Sequence, residues 1–545
     1  MTPKRIILSV LTLLVAWVMG ASLISSFGEP QVGNQLQLYQ TDLLVQASEW
    51  QGSGLPEAEV QQFRRAVFGE DALESATEQY QEVRKDAVTG LARIQQQIDN
   101  SSELAAERRQ ALMTTAQSQQ QLINQIDLRL GMVQERQGDV PAALDTWTAL
   151  ADRPGDSAIA AKTLADLWKT PPVVTPDTAV VINQKLNGWY RYVALERLYN
   201  LEDETQQLEQ LTTNEVDAAE RTIIQLSLVG VLPSLGALIG TALLIALIAQ
   251  RLLRGKESIL AISDGQWQVP WDWEVVWLVI VGGFLFVGQL ALPFVLQVGL
   301  LLAQSVGSPS TPLPAMVMNM AELLQSGSQS FAESGPASTG LASTGLVLGL
   351  ASRGKALYSL VFYLLMAAST LTVLYVSIKD YLPLSKEWFR FDFSGKWPLW
   401  GFGGYLVALP LMLVVSLLNQ QIWQGQGGNN PILQLVLQER DSVALAMFLF
   451  TAAVAAPVFE EILFRGFLLP SLTRYMPAWG AIGLSSLIFS VAHLSFSEVI
   501  PLSVLGAILG FAYVRSQNLM SSILLHSTWN SVTMIGLFLL GSGAA

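Results

Sequence analysis

Two adjacent glutamates interrupt the apolar stretch Val454-Ala455-Ala456-Pro457-Val458-Phe459-Glu460-Glu461-Ile462-Leu463-Phe464-Arg465. A carboxylate in a hydrocarbon setting is costly unless it is paired or near water. Arg465 follows Glu461 by one helical turn on the same face, so those two can pair. Glu460 points about 100° away around the helix and is left to face something else. Pro457 removes a backbone hydrogen bond just ahead of the pair and predicts a bend there. The chain has only two histidines, His493 and His526, and both fall in its last apolar stretches. Phe489 precedes His493 by one turn and Asn530 follows His526 by one turn, so each pair shares a helical face.

These groups suit hydrolysis by an activated water, with no serine or cysteine nucleophile. Glu460 would take the proton as general base while His493 holds or shares the water. His526 and Asn530 would donate hydrogen bonds to the developing oxyanion. Glu461 with Arg465 would support the site structurally. The same residues leave three alternatives open. A zinc ion could be held by Glu460, His493 and His526, a known ligand set. A proton relay in a proton-coupled transporter would use the same three. A scaffold or immunity protein would keep them without cleaving anything. No His-Glu-x-x-His helix occurs, which disfavours one common metalloprotease arrangement, and Gly483-Leu484-Ser485-Ser486 reads as ordinary packing.

The elements that must position these residues are membrane helices. Of 545 residues 51% are hydrophobic and 14% charged, which is too apolar for a water-soluble globule. Absence of cysteine excludes thiolate catalysis, disulfides and cysteine metal sites. Residues 6–27 form an apolar run behind Lys4 and Arg5, either an anchor or an export signal, and residues 1–27 are read as one segment. Eight further spans are expected at 222–250, 274–303, 357–378, 398–422, 442–469, 479–496, 499–514 and 519–541, with 499–514 the shortest. Arg474, Trp479 and Arg515 mark one membrane edge. A rise of about 1.5 Å per residue then puts Glu460 and His493 about 21 Å deep and His526 about 16 Å deep. One site built from three helices needs such agreement.

Residues 28–221 carry 30 acidic and 16 basic side chains, a balance of −14 that accounts for the net charge of −13. No basic stripe with interleaved aromatics is present, so nucleic acid is excluded as a partner. The segment is rich in Gln, Ala, Leu and Glu with helical spacing of its apolar residues. Leu128 to Leu150 resembles a tetratricopeptide helix pair turned at Gly138-Asp139, and Trp189 to Leu211 could stack on it, although a 34-residue repeat is missing. This is a helical spacer or a surface for a protein partner. Residues 304–356 are Ser-, Gly- and Ala-rich and read as a flexible or partly membrane-associated loop. Basic residues orient the spans. With Lys4, Arg5, Arg251, Arg254, Lys379, Arg465, Arg474 and Arg515 toward the cytoplasm, the acidic segment lies outside it.

Glu-Glu-x-x-x-Arg, Phe-x-x-x-His and His-x-x-x-Asn, in that order on successive late spans, resemble the CPBP family of CAAX prenyl proteases and bacteriocin-processing enzymes. The resemblance covers residues 440–541 by motif and the spans from 222 onward by their pattern. It implies an intramembrane glutamic protease without a metal cofactor, formerly regarded as a metalloprotease. Glu460 and His493 would activate water, and His526 with Asn530 would form the oxyanion hole. The expected fold is all-α, a multi-pass bundle of about eight protease-core helices (222–545) and one N-terminal span, plus the extramembrane helical domain 28–221, which is foreign to the family core. The expected substrate is a peptide or membrane protein, met in a bacterial plasma membrane or a thylakoid-type membrane.

Overall fold

The structure is a computed structural model that describes residues 2–26, 32–262 (except 51, 53–55, 69–70 and 100–105), 267–296, 298–299, 351–423, 433, 435–436, 439 and 441–543. Every regular element among the described residues is a helix. The loop expected at 304–356 lies outside them up to residue 350. Two compact units divide the chain, one made of residues 1–30 and 233–535, the other of residues 31–232 and 536–545.

The acidic unit is built from α2 (Val32–Ser48), α3 (Glu57–Phe68), α4 (Ala72–Asp99), α5 (Ala106–Arg136), α6 (Val140–Ala151), α7 (Asp156–Trp168), α8 (Thr178–Lys185), α9 (Gly188–Leu201) and α10 (Thr205–Leu226), numbered after α1 (Pro3–Ser26) of the other unit. The α5–α6 turn forms where expected. Gly138 takes φ +89°, open to glycine without steric cost, and the Asp139 carboxylate caps α6 by accepting from Ala142 N at 3.1 Å. The two helices approach closely because Gly131 has no side chain, since a Cβ there would stand 2.3 Å from Trp147 Nε1. Trp147 and Trp189 are fully buried in one core running from Leu38 to Leu198. That core also holds an ion pair. Asp42 accepts from Arg129 Nε at 2.9 Å, Tyr80 Oη at 2.7 Å and Tyr190 Oη at 3.0 Å, which satisfies a buried carboxylate with several donors.

The other unit is the membrane bundle. Its helices are α1, α11 (Leu232–Arg254), α12 (Trp273–Leu296), α13 (Ser352–Ile378), α14 (Trp397–Trp423), α15 (Ser442–Leu472), α16 (Ala478–Val491), α17 (Phe496–Ser516) and α18 (Leu519–Gly543). Eight helices among the described residues are long and apolar enough to cross a membrane, and their outer faces expose large apolar side chains such as Leu13, Leu252 and Leu399. The chain is an integral multi-pass membrane protein. Two span lengths differ from expectation. The stretch read as the shortest, 499–514, is a 21-residue helix, α17. The one read as 479–496 is a helix of only 14 residues, because α16 stops at Val491 and Leu494 turns the chain with φ +58°. The apolar run had been followed through a turn.

Small residues let the helices meet. A Cβ on Gly240 would stand 1.8 Å from Leu406 O, so α11 and α14 touch backbone to backbone. Gly401 and Gly404 make room for the side chains of Leu524 and Leu525 on α18, and Gly506 for that of Ser486, between α17 and α16. Ser485 and Ser486 donate to the Ile482 carbonyl of their own helix at 3.1 and 2.7 Å, which is packing, as the sequence suggested.

Candidate active site

α15 carries the two glutamates, and it is not a uniform α-helix. Residues Thr451–Ala455 and Glu461–Leu468 are wound as π-helix, with an α-helical turn Ala456–Glu460 between them. Two wider-wound segments therefore flank the turn that holds Pro457 and Glu460, a feature frequent at functional sites. Glu461 and Arg465 form the predicted pair, with Oε1 and Nη1 2.8 Å apart and side-chain exposures of 0% and 1%. Arg465 also donates to Gly506 O at 3.1 Å and lies over the Phe489 ring, 4.6 Å from its centroid. A buried guanidinium is tolerable in such surroundings because its charge is compensated at once by carboxylate, carbonyl and ring face.

Both imidazoles are anchored through Nδ1. His526 Nδ1 stands 2.9 Å from Glu461 Oε1, and His493 Nδ1 stands 2.8 Å from Phe489 O. A carbonyl and an ionised carboxylate can only accept, so in each ring Nδ1 carries a hydrogen and Nε2 is directed elsewhere. His526 Nε2 is 3.8 Å from Glu460 Oε2. Glu461 thus does more than support Arg465, because one of its oxygens also orients His526. The Asn530 amide donates to Ala452 O at 2.7 Å, leaving its second N–H free to act.

Glu460, His493, His526 and Asn530 line one cavity of about 280 Å³, walled also by Phe284, Phe362, Phe464 and Phe489. Glu461 and Arg465 lie behind that wall and are not among its lining residues. His493 reaches the cavity from the turn that ends α16, held there by Gln289 of α12, whose Nε2 donates to Ala492 O at 3.2 Å. Among the lining residues that the sequence reading did not single out are Tyr363, Gln289 and Glu498. Tyr363 donates to Glu460 Oε1 at 2.6 Å. An isolated tyrosine in an apolar span gives no spacing signal, and its partner lies 97 residues on. A zinc ion would need Glu460, His493 and His526 all within about 2 Å of one point, and among the described residues no three His, Asp or Glu side chains are arranged that closely.

Residues 442–532, which contain all six predicted site residues, match the family model of the type II CAAX prenyl endopeptidase Rce1-like proteins. The chain is 27% identical over 178 residues to the membrane-embedded CAAX protease MroQ of Staphylococcus aureus (strain USA300), covering 31% of this chain and 70% of that one. It is 23% identical over 137 residues to the putative membrane peptidase YdiL of Bacillus subtilis (strain 168), covering 25% of this chain and 55% of that one. No solved structure matches. The C-terminal part of the chain is an Rce1-like domain, and that family supports an intramembrane endopeptidase.

Proposed function

We propose that, with an Rce1-like domain at its C-terminus, this chain hydrolyses peptide bonds of a membrane-associated peptide or protein by a Glu/His-activated water. The observation that carries the proposal is the presence of Glu460, His493, His526 and Asn530 together in the lining of one cavity of the bundle, walled in part by aromatic rings. A gap of 3.8 Å between Glu460 Oε2 and His526 Nε2 is too long for a direct hydrogen bond and suits a shared water. Glu460 takes the water's proton as the hydroxyl attacks the scissile carbonyl, with the lone pair of His493 Nε2 available to hold the water, and returns that proton to the nitrogen of the leaving amine as the C–N bond breaks. As the oxyanion develops, the free Asn530 N–H donates to it. His526 can donate from Nε2 once its ring carries both protons, with Glu461 supplying the compensating negative charge at Nδ1. The apolar walls exclude bulk water and strengthen each of these interactions.

The test compares membranes containing wild type, Glu460→Gln and His493→Ala by terminal proteomics. The expected result is one set of peptide termini present with wild type and absent with both variants. Identical termini in all three would remove the support for proteolysis. Lost termini with an intact physiological effect would show a scaffold role in addition to cleavage.

A further inference from the structure

Glu460 is held by a group from outside the segment that matches the family. Tyr363 sits on α13, and its hydroxyl donates to Glu460 Oε1 at 2.6 Å. Its ring meets Phe459, the residue before Glu460, edge to face at a centroid distance of 6.0 Å. The other oxygen, Oε2, is the one that faces His526 Nε2. A carboxylate has a soft terminal torsion, so without an anchor its plane would rotate and either oxygen could meet the water. A short O–H···O⁻ bond is among the stronger hydrogen bonds and fixes that torsion.

We infer that Tyr363 is a positioning residue for the hydrolysis proposed above, holding Oε1 so that Oε2 alone receives the proton of the attacking water. The inference rests on Glu460 being the general base. Proton accounting leaves Tyr363 unchanged through the reaction: the water's proton goes to Oε2, and the tyrosine O–H stays intact. It continues to donate to Oε1, which is then the carbonyl oxygen of the neutral acid. Phenylalanine at 363 keeps the ring contact with Phe459 and removes only the donor.

The experiment uses the full chain in lipid nanodiscs with an internally quenched peptide chosen from a library by wild-type turnover. Tyr363→Phe is expected to lower kcat on the order of 10- to 100-fold, the loss that follows from slight misplacement of a reacting group. KM should stay within about twofold, since the group acts after binding. The thermal midpoint should not move. Full kcat in Tyr363→Phe while Glu460→Gln is inactive would overturn this inference alone. An effect confined to KM would do the same. Turnover by Glu460→Gln would overturn the general-base assignment, and this inference with it.

Discussion

Arg465 has a side-chain exposure of 1% and its carboxylate partner Glu461 is fully buried. Removing one member of such a pair leaves the other charged without compensation, which costs about 3–5 kcal/mol. Arg465→Met should therefore lower the thermal midpoint of the purified protein and its yield in membranes. Glu460→Gln should leave the midpoint near wild type, because Glu460 borders the cavity with 13% of its side chain exposed and glutamine can still accept from Tyr363. Measuring midpoint and cleavage together separates the two glutamates, and equal destabilisation by both substitutions would contradict this division. Metal removal gives a second check on the same residues. On the reading in which Glu460 activates the water without a metal, cleavage should survive a chelator such as 1,10-phenanthroline, and loss restored by added zinc would favour Glu460, His493 and His526 as zinc ligands instead. Six of these residues were legible in the sequence because ionisable groups in apolar helices are costly and so conspicuous, and because their four-residue spacings fix a face. Tyr363 and Gln289 were not legible, because each acts through a partner about 100 or more residues away and neither type stands out in a span.

At the scale of elements, the helices of the bundle approach where side chains are missing. Gly240 meets the backbone carbonyl of Leu406, an atom that cannot move aside as a flexible side-chain tip could. Gly240→Val should push α11 from α14 and destabilise the protein by about 1–3 kcal/mol. Gly131→Leu should do the same to the α5–α6 pair, where Trp147 fills the space. Either is read as a lower thermal midpoint against Gly536→Ala, a position with nothing within 4 Å; no drop in Gly240→Val would mean that the helices separate at no cost. Hydropathy showed which stretches are helices and missed where two of them end. It could not register that α16 stops at Val491, since Ala492 and Leu494 are as apolar as the helix before them. Nor could it show the π-helical winding around Glu460 and Glu461, which adds no residue type of its own. That early stop is what frees His493 to reach the cavity from a turn.

For the whole molecule, the acidic unit and the bundle face different solvents and should respond to different stresses. In the acidic unit, burial first and then the charge of Asp42 raise the Tyr80 and Tyr190 hydroxyls well above their ordinary range. A group whose folded pKa is raised contributes stability below its unfolded value and loses it as pH climbs past that value, here about 10. Alkali above that pH should unfold this unit, and Tyr80→Phe should weaken the dependence when followed by tryptophan fluorescence. Orientation is the remaining property of the whole chain. Within the bundle, Arg474 donates to the Trp271 carbonyl, Trp388 to the Gln268 carbonyl and Asn518 to the Asp392 carbonyl, so one end gathers Arg474 with the 268–271 and 388–392 connections. Arg353 pairs with Asp441 at 2.8 Å, joining the far ends of α13 and α15. These groupings match the alternation of sides that the basic residues predict, and that alternation puts Ser26, at the end of α1, on the side opposite Lys4 and Arg5. The chain between Ser26 and α11 would then lie outside the cytoplasm. Protease added to right-side-out vesicles should remove epitopes placed in residues 28–221 and spare one at residue 2, whereas inverted vesicles should give the opposite pattern. Protection of the 28–221 epitopes in right-side-out vesicles would require the bundle to be inverted, and with it the assignment of Arg474 and Arg515 to the cytoplasmic face.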